Sequence, residues 1–307
     1  MTVIRVDSDA DGERLDTALG ILFPERSRSF FRKLIDRKQV LLNGKEAKAS
    51  RTVSEGDTLS VEFPEAEPLN ILPEPIPLEI VYEDADVILV NKPQGMVVHP
   101  AAGHYTGTLV NGLLYHCKDL SGINGVLRPG IVHRIDKDTS GIVIACKNDA
   151  AHRCIAEQLA AHTVSRRYYA LVHGGFREDG GTVDAPLGRH KTDRKKMAVV
   201  PDGKRAVTHF RVLERFERFT LVECRLETGR THQIRVHMAH IGHPLAGDPV
   251  YGSGKAPFHT EGQMLHAYLL GFRAPSDGRY LEFTSDLPAH FREALEKLRK
   301  RAPVSPL

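Results

Sequence analysis

The sequence predicts two α+β domains: a small basic one, then a larger one built on a largely antiparallel sheet. Three observations carry this expectation. The chain has 307 residues, about twice the usual size of a single domain. Its charge divides abruptly: residues 26–51 hold nine Lys or Arg against Asp36 and Glu46, whereas residues 52–91 hold ten Asp or Glu and no Lys or Arg. Further on, short β-rich runs follow one another through turns with few helices between them, an antiparallel rather than a βαβ pattern. No GxGxxG, P-loop or internal repeat points the other way. A hydrophobic share of 41% and a charged share of 26% are ordinary for a soluble chain, and no apolar run reaches the roughly 18 residues of a membrane span. The N-terminus turns acidic before an apolar segment can form, which argues against a secretory signal, so a cytoplasmic protein is expected.

The elements follow in order. In the first domain, residues 1–65, a helix is expected over 13–22, then a second from Ser27 as N-cap through Asp36. Asn43-Gly44, within Val40-Leu41-Leu42-Asn43-Gly44-Lys45, signals a hairpin, because both residues tolerate the positive φ of a type I′ turn. Arg28, Arg32 and Lys33 on the second helix and Lys45 on the hairpin form one basic face, suited equally to solvent and to phosphate. Pro64, Pro68, Pro73, Pro75 and Pro77 then favour an extended linker over 66–77. In the second domain, residues 78–307, a hairpin is expected over 80–90. Strands follow at 130–133, 141–145, 168–173, 207–213 and 220–226, and helices at 150–162 and 288–300. Cys117, Cys146, Cys154 and Cys224 are widely spaced and read as small apolar residues, not as ligands or disulfides. The segments ERLD, SRSFFRKLIDRKQVLLNGK and SEGDTLSV resemble the S4 domain, a small RNA-binding module, over roughly the first 65 residues. That resemblance implies RNA as a partner.

Three segments concentrate reactive groups. In RPGIVHRIDKDTSGIVIACKND, two apolar runs flank the loop HRIDKDTSG, whose candidates are His133, Arg134, Asp136, Lys137 and Asp138; a loop set on buried strands presents side chains at fixed positions. In LETGRTHQIRVHMAHIGHPLAGDPVYG, Arg230, His232 and Arg235 crowd the start of a possible helix, where an anion is favoured. His237, His240 and His243 recur every three residues, but no Cys or carboxylate completes a metal set. In VSRRYYALVHG, alternation puts Tyr168 and Ala170 on one face and Tyr169 and Leu171 on the other. The stretch 189–205, with seven Lys or Arg against two Asp, reads as a flexible phosphate-gripping loop.

Together with VNKPQGMVVHP, GHYTGTLVNGLL and MLHA, these segments closely resemble the RluA family of RNA pseudouridine synthases, in its S4-bearing branch that acts on large-subunit ribosomal RNA. The resemblance spans essentially the whole chain. It departs mildly at Ile135, usually Leu, and at 262–264. It implies a pseudouridine synthase fold on a largely antiparallel mixed sheet, Asp136 as nucleophile or base, Tyr168 as stacking platform for the target base, and Arg235 as partner of the Asp carboxylate. Arg134, Arg230 and His232 would then face RNA. Converting uridine to pseudouridine exchanges an N1–C1′ bond for a C5–C1′ bond without redox change, so neither cofactor nor metal is expected, and a monomer is the default. Three rivals remain: a tRNA target, a non-catalytic S4 assembly factor, and an Mg²⁺-dependent phosphatase suggested by the DxDxT match of DKDTSG, which chelation by EDTA would expose.

Overall fold

The computed structural model describes residues 1–23, 28–63, 71–100, 104–122, 129–190, 192–193, 196–253 and 256–300. The chain divides into two compact units, Met1–Leu69 and Asn70–Leu307.

The first unit comprises β1 (Thr2–Arg5), α1 (Leu15–Leu22), α2 (Arg28–Asp36), β2 (Val40–Leu42), β3 (Lys45–Glu46) and β4 (Thr58–Val61). Its sheet runs β1-β4-β2-β3, antiparallel throughout. Phe31, Leu34 and Ile35 of α2, at helical spacing, join Leu15 and Leu19 of α1 and Leu59 and Val61 of β4 in one core. Asn43 (φ 51°) and Gly44 (φ 77°) make the left-handed turn that Asn-Gly signals. Arg32, Lys33 and Lys45 are exposed, whereas Arg28 has a partner inside the unit: its Nε donates to Asp16 Oδ2 at 2.9 Å. Arg28 is therefore an anchor between α1 and α2 rather than a free member of the basic face. Arg26 and the expected N-cap Ser27 lie outside the described residues.

The second unit comprises β5 (Ile80–Glu83), β6 (Val87–Lys92), α3 (Leu109–His116), β7 (Ser140–Cys146), α4 (Asp149–Ala160), β8 (Ser165–His173), β9 (Gly180–Asp184), β10 (Leu187–Arg189), β11 (Met197–Val199), β12 (Val207–Arg215), β13 (Phe219–Leu226), α5 (Gln233–His240), β14 (Leu265–Arg273), β15 (Tyr280–Thr284) and α6 (Ala289–Lys300). Nine strands form one sheet in the order β5-β6-β7-β14-β8-β13-β12-β9, with β15 beside β14. Every pairing is antiparallel except β7 with β14, so the sheet is mixed and largely antiparallel. Alternation along β8 sends Tyr168, Ala170 and Val172 into the core that holds Ile234 and Met238 of α5. It sends Leu171 to the other face, against Phe291, Leu295 and Leu298 of α6.

Three expectations need correction. Residues 130–133 are not a strand: Ile131 alone bridges Ala145, on the edge of β7 opposite β6, where the His133 side chain rather than a backbone carbonyl accepts from Ile144 N. The stretch 189–205 is not simply a loop, since it contains β11, which pairs with β10 ending at Arg189; Lys191, Arg194 and Lys195 lie outside the described residues. The spacer expected over 66–77 is free over only part of its length at most. Residues 64–70 lie outside the described residues, but Ile71 is buried in the core of the second unit, Asn111 Nδ2 donates to the Leu72 carbonyl at 2.9 Å, and Glu74 N donates to the Asn111 carbonyl at 3.0 Å. The prolines do extend this segment, and extension is what lets its backbone pair with α3. That helix itself went unforeseen, although Thr108 caps it through Asn111 in a reciprocal box.

Among the described residues no helix is long and apolar enough to cross a membrane. All four cysteines are free. Burial pushes the Cys117 thiol up to about 11 and that of Cys146 up to about 12, which keeps both unreactive.

Candidate active site

Asp136 lies in the loop that leads into β7, and that loop is pinned from three sides. Thr139 N donates to the Asp136 carbonyl at 3.1 Å, closing a tight turn. From β6, Lys92 Nζ donates to the carbonyls of Lys137 at 3.0 Å, Pro93 at 2.8 Å and Met96 at 2.8 Å. Burial pulls the Lys92 amine down to about 7 against the opposing charges of Asp138 and Asp136, but three acceptors match the three donors of an ammonium. From the approach to β14, Gln263 Nε2 donates to Thr139 Oγ1 at 3.1 Å, and His266 Nδ1 stands 2.9 Å from Ser140 Oγ. Gly141, at φ 116°, has no room for a side chain, because a Cβ would meet the Ala267 carbonyl oxygen at 2.2 Å.

Arg235, on the first turn of α5, links this loop to the rest of the site. Its Nη1 donates to Asp136 Oδ2 at 2.9 Å. Its Nε and Nη2 donate to the two oxygens of Asp248 at 2.7 and 3.0 Å, a two-pronged geometry only a guanidinium provides. Asp248 is fully buried and also accepts from Val250 N and Tyr251 N. Burial raises the Asp248 carboxyl, but the Arg235 guanidinium outweighs it and holds the group below the usual range. Burial likewise works against charge on Arg235, and Asp248 and Asp136 reverse that effect. The Tyr251 ring lies 5.1 Å from the guanidinium carbon.

His232 caps α5 in a left-handed conformation at φ 57°. Its Nδ1 meets the Tyr251 hydroxyl at 2.7 Å, and its Nε2 stands 3.9 Å from Asp136 Oδ1. Burial lowers its pKa while Asp136 pulls the other way. Gln233 holds the preceding loop by accepting from Thr228 Oγ1 and Arg230 N and donating to the Val207 carbonyl.

These groups line a cleft of about 500 Å³. Asp136, Tyr168, Arg134, Arg230, His232 and Arg235 all border it, so the second unit brings all six of its sequence-chosen residues together. Tyr168 is 7% exposed, with Ile135, Leu226 and Leu265 as apolar neighbours along the cleft wall. Tyr169 faces away and stacks on Tyr268 with ring centres 3.8 Å apart. Arg230 does not pair with Asp136; its Nε donates to the Arg205 carbonyl at 3.0 Å. Arg28, Arg32, Lys33 and Lys45 belong to the other unit.

The histidine series holds no metal arrangement. His237 bonds Thr208 Oγ1 and the Ala185 carbonyl, and His243 bonds the His173 carbonyl. Among the described residues, one cluster has metal-like spacing, Glu83, His116 and Cys117. There Glu83 already pairs with His116 at 2.8 Å and Lys147 at 2.9 Å, and none of the three borders the cleft. Sequence reasoning missed Lys92, Arg166 and Asp248, although each lies in a segment it singled out; nothing local in the sequence marks a residue as buried against a distant partner.

The chain matches the family model described as RNA pseudouridylate synthase over residues 86–240 and the S4 domain over residues 13–59. It is 56% identical to an uncharacterized RNA pseudouridine synthase of Bacillus subtilis over 97% of this chain and 98% of that one. It is 50% identical to ribosomal large subunit pseudouridine synthase D of Zymomonas mobilis, over 90% and 91% of the two chains. Among solved structures, human RNA pseudouridylate synthase domain containing 1 superposes with a TM-score of 0.55 at 26% identity, covering 75% of this chain and 97% of that one.

Proposed function

The chain belongs to the RNA pseudouridylate synthase family, and on that premise we propose that it isomerises specific uridines in a loop of large-subunit ribosomal RNA, with Asp136 as the reacting carboxylate. One observation carries the assignment of Asp136: of the carboxylates near the cleft, it alone borders the cleft while being held by a buried guanidinium at 2.9 Å. A carboxylate so placed can attack the ribose carbon or accept a ribose proton. The N1–C1′ bond breaks, the uracil turns, and C5–C1′ forms; C5 gives up its proton and N1 gains one, so no oxidant, metal or cofactor is required.

The target base must first leave its stack, which costs a few kcal/mol. Stacking on an aromatic ring returns about 1–3 kcal/mol, the role assigned to Tyr168, whose ring sits on the same face of β8 as the cleft. Single-stranded loops are where bases can be splayed out in this way. The names of relatives such as the Zymomonas protein favour the ribosomal large subunit over tRNA, and the proposed setting is a cytoplasmic monomer.

The test is chemical mapping of pseudouridine in total RNA from cells with the gene, without it, and with an Asp136→Asn copy. Signal at one or a few large-subunit loop uridines, lost in both of the altered strains, is expected. Signal confined to tRNA would move the substrate, and signal that persists with Asp136→Asn would remove that residue from the chemistry.

A further inference from the structure

The cleft contains a second buried arginine, and its situation is opposite to that of Arg235. Arg166, on β8 two residues before Tyr168 and so on the same face of the sheet, is 7% exposed and borders the cleft. Its Nε is fully buried with no hydrogen-bond partner, and among the described residues no carboxylate or carbonyl pairs with its guanidinium. The group lies against Gly229: a Cβ there would stand 2.5 Å from Arg166 Nη1, so any side chain at that position would have to displace the guanidinium. Burial raises the Tyr168 hydroxyl and Arg166 opposes it. Burial takes His133 down to about 3, and Arg166 adds to that. The guanidinium thus faces the same space as the proposed stacking tyrosine.

A buried charge without a counterion is costly, and a site that keeps one is organised for a charge brought by a ligand. RNA carries one kind of anion, the phosphodiester, and a planar guanidinium meets it with two parallel N–H donors. Uracil carbonyls are neutral and leave the charge uncompensated. We propose that Arg166 is the receptor for a phosphodiester flanking the extruded uridine. This deepens the pseudouridine synthase reading and rests on it.

The experiment uses the full-length protein and a synthetic RNA hairpin containing a uridine that the wild-type protein has first been shown to convert. Absence of any conversion would count against the parent reading, not against Arg166. Single uncharged methylphosphonate linkages then replace each of the two phosphates beside the target. Wild type is expected to lose about tenfold in affinity at one of them, Arg166→Met to lose about tenfold on unmodified RNA, and the combination to lose no more than either alone. The slope of log affinity against log salt should fall by about 0.7 in the variant, with Arg166→Lys between the two. Because Arg166 has no partner to abandon, Arg166→Met should melt at or above the wild-type temperature. Losses that add independently at both linkages, or an unchanged salt slope, would overturn the proposal and point to a uracil carbonyl. A clearly lowered melting temperature would also overturn it, by making Arg166 a structural cation.

Discussion

The two units contain mirror-image ion clusters. In the N-terminal unit a buried carboxylate, Asp16, sits between two arginines: Arg14 at 3.1 Å and Arg28 at 2.9 Å, with side chains 47% and 56% exposed. In the second unit a buried arginine, Arg235, sits between two carboxylates, Asp248 at 0% and Asp136 at 18% exposure. The first cluster turns its spare charge to water, where each pair contributes about 1 kcal/mol at most. It ties α1 to α2. In the second cluster, the buried Asp248 takes two donors of Arg235, and the third donor holds Asp136 at the cleft wall, with its other oxygen 3.9 Å from His232 Nε2. The same chemistry acts as a clip when the outer members are cations in solvent, and as a site when one outer member is a carboxylate on a cleft.

The largest expected effect follows from removing that outer carboxylate. Asp136→Asn keeps the shape but can neither attack carbon nor accept a proton, so the single-turnover rate should fall by about 10³-fold or more while RNA affinity stays within a few fold. Asp138→Asn, which leaves Arg235 fully paired, should keep most of its activity. A rate for Asp136→Asn near wild type would reduce the second cluster to a clip like the first.

Next comes the centre of that cluster. Arg235→Ala strands Asp248 as a buried unpaired charge and should cost about 3–5 kcal/mol of stability, read from denaturant midpoints. Arg235→Lys keeps charge but cannot serve both carboxylates, so it should keep more stability than activity. Arg230→Ala should leave stability within about 0.5 kcal/mol of wild type and weaken RNA binding instead. Equal destabilisation by Arg230→Ala would mean that the two arginines share the structural role.

The wall of the cleft offers a smaller contrast. Tyr168→Ala should cost about 1–3 kcal/mol in RNA affinity through lost stacking, Tyr168→Phe much less, and Tyr169→Ala should affect stability through its partner Tyr268 rather than RNA. A harsher binding loss for Tyr169→Ala would exchange the functions of the two faces of β8.

What the sequence made legible divides along the same line. The Asn43-Gly44 turn, the hairpin over 80–90 and the Tyr168/Tyr169 alternation are local, and each could be read from a few neighbouring residues. The partnership of Arg235 with Asp136 joins positions 99 residues apart; charge alone left Arg230 equally eligible, and family resemblance, not spacing, singled out Arg235. Asp248, within GDPVYG, has no local mark of its role, because an Asp before Pro reads as a turn residue until its burial is known. β14 was seen only as the motif MLHA: buried along eight of its nine residues, it has no polar alternation to announce a strand. Residues 130–133 failed in the opposite way, with β-rich composition but a single bridge to β7 at Ile131, the neighbouring edge donor Ile144 N being taken by the His133 side chain.

The smallest effect concerns the clip itself. Burial raises the Asp16 carboxyl, but hydrogen bonds from Arg14 and Arg28 outweigh it and hold the group below its ordinary value. A carboxyl whose pKa is depressed by folding contributes stability that is complete above its unfolded value, about 4, and that disappears as the pH falls through the lower, folded value. Asp16→Asn should therefore cost about 1 kcal/mol at pH 7 and progressively less below pH 4. Its pairs reach solvent, so 1 M salt should remove much of that cost, whereas the cost of Arg235→Ala, set by a fully buried partner, should scarcely respond to salt. Denaturant midpoints for wild type and both variants at pH 7 and pH 3, with and without salt, separate the two behaviours. A salt-insensitive Asp16→Asn would mean that its arginines are shielded from water and that the two clusters are alike after all.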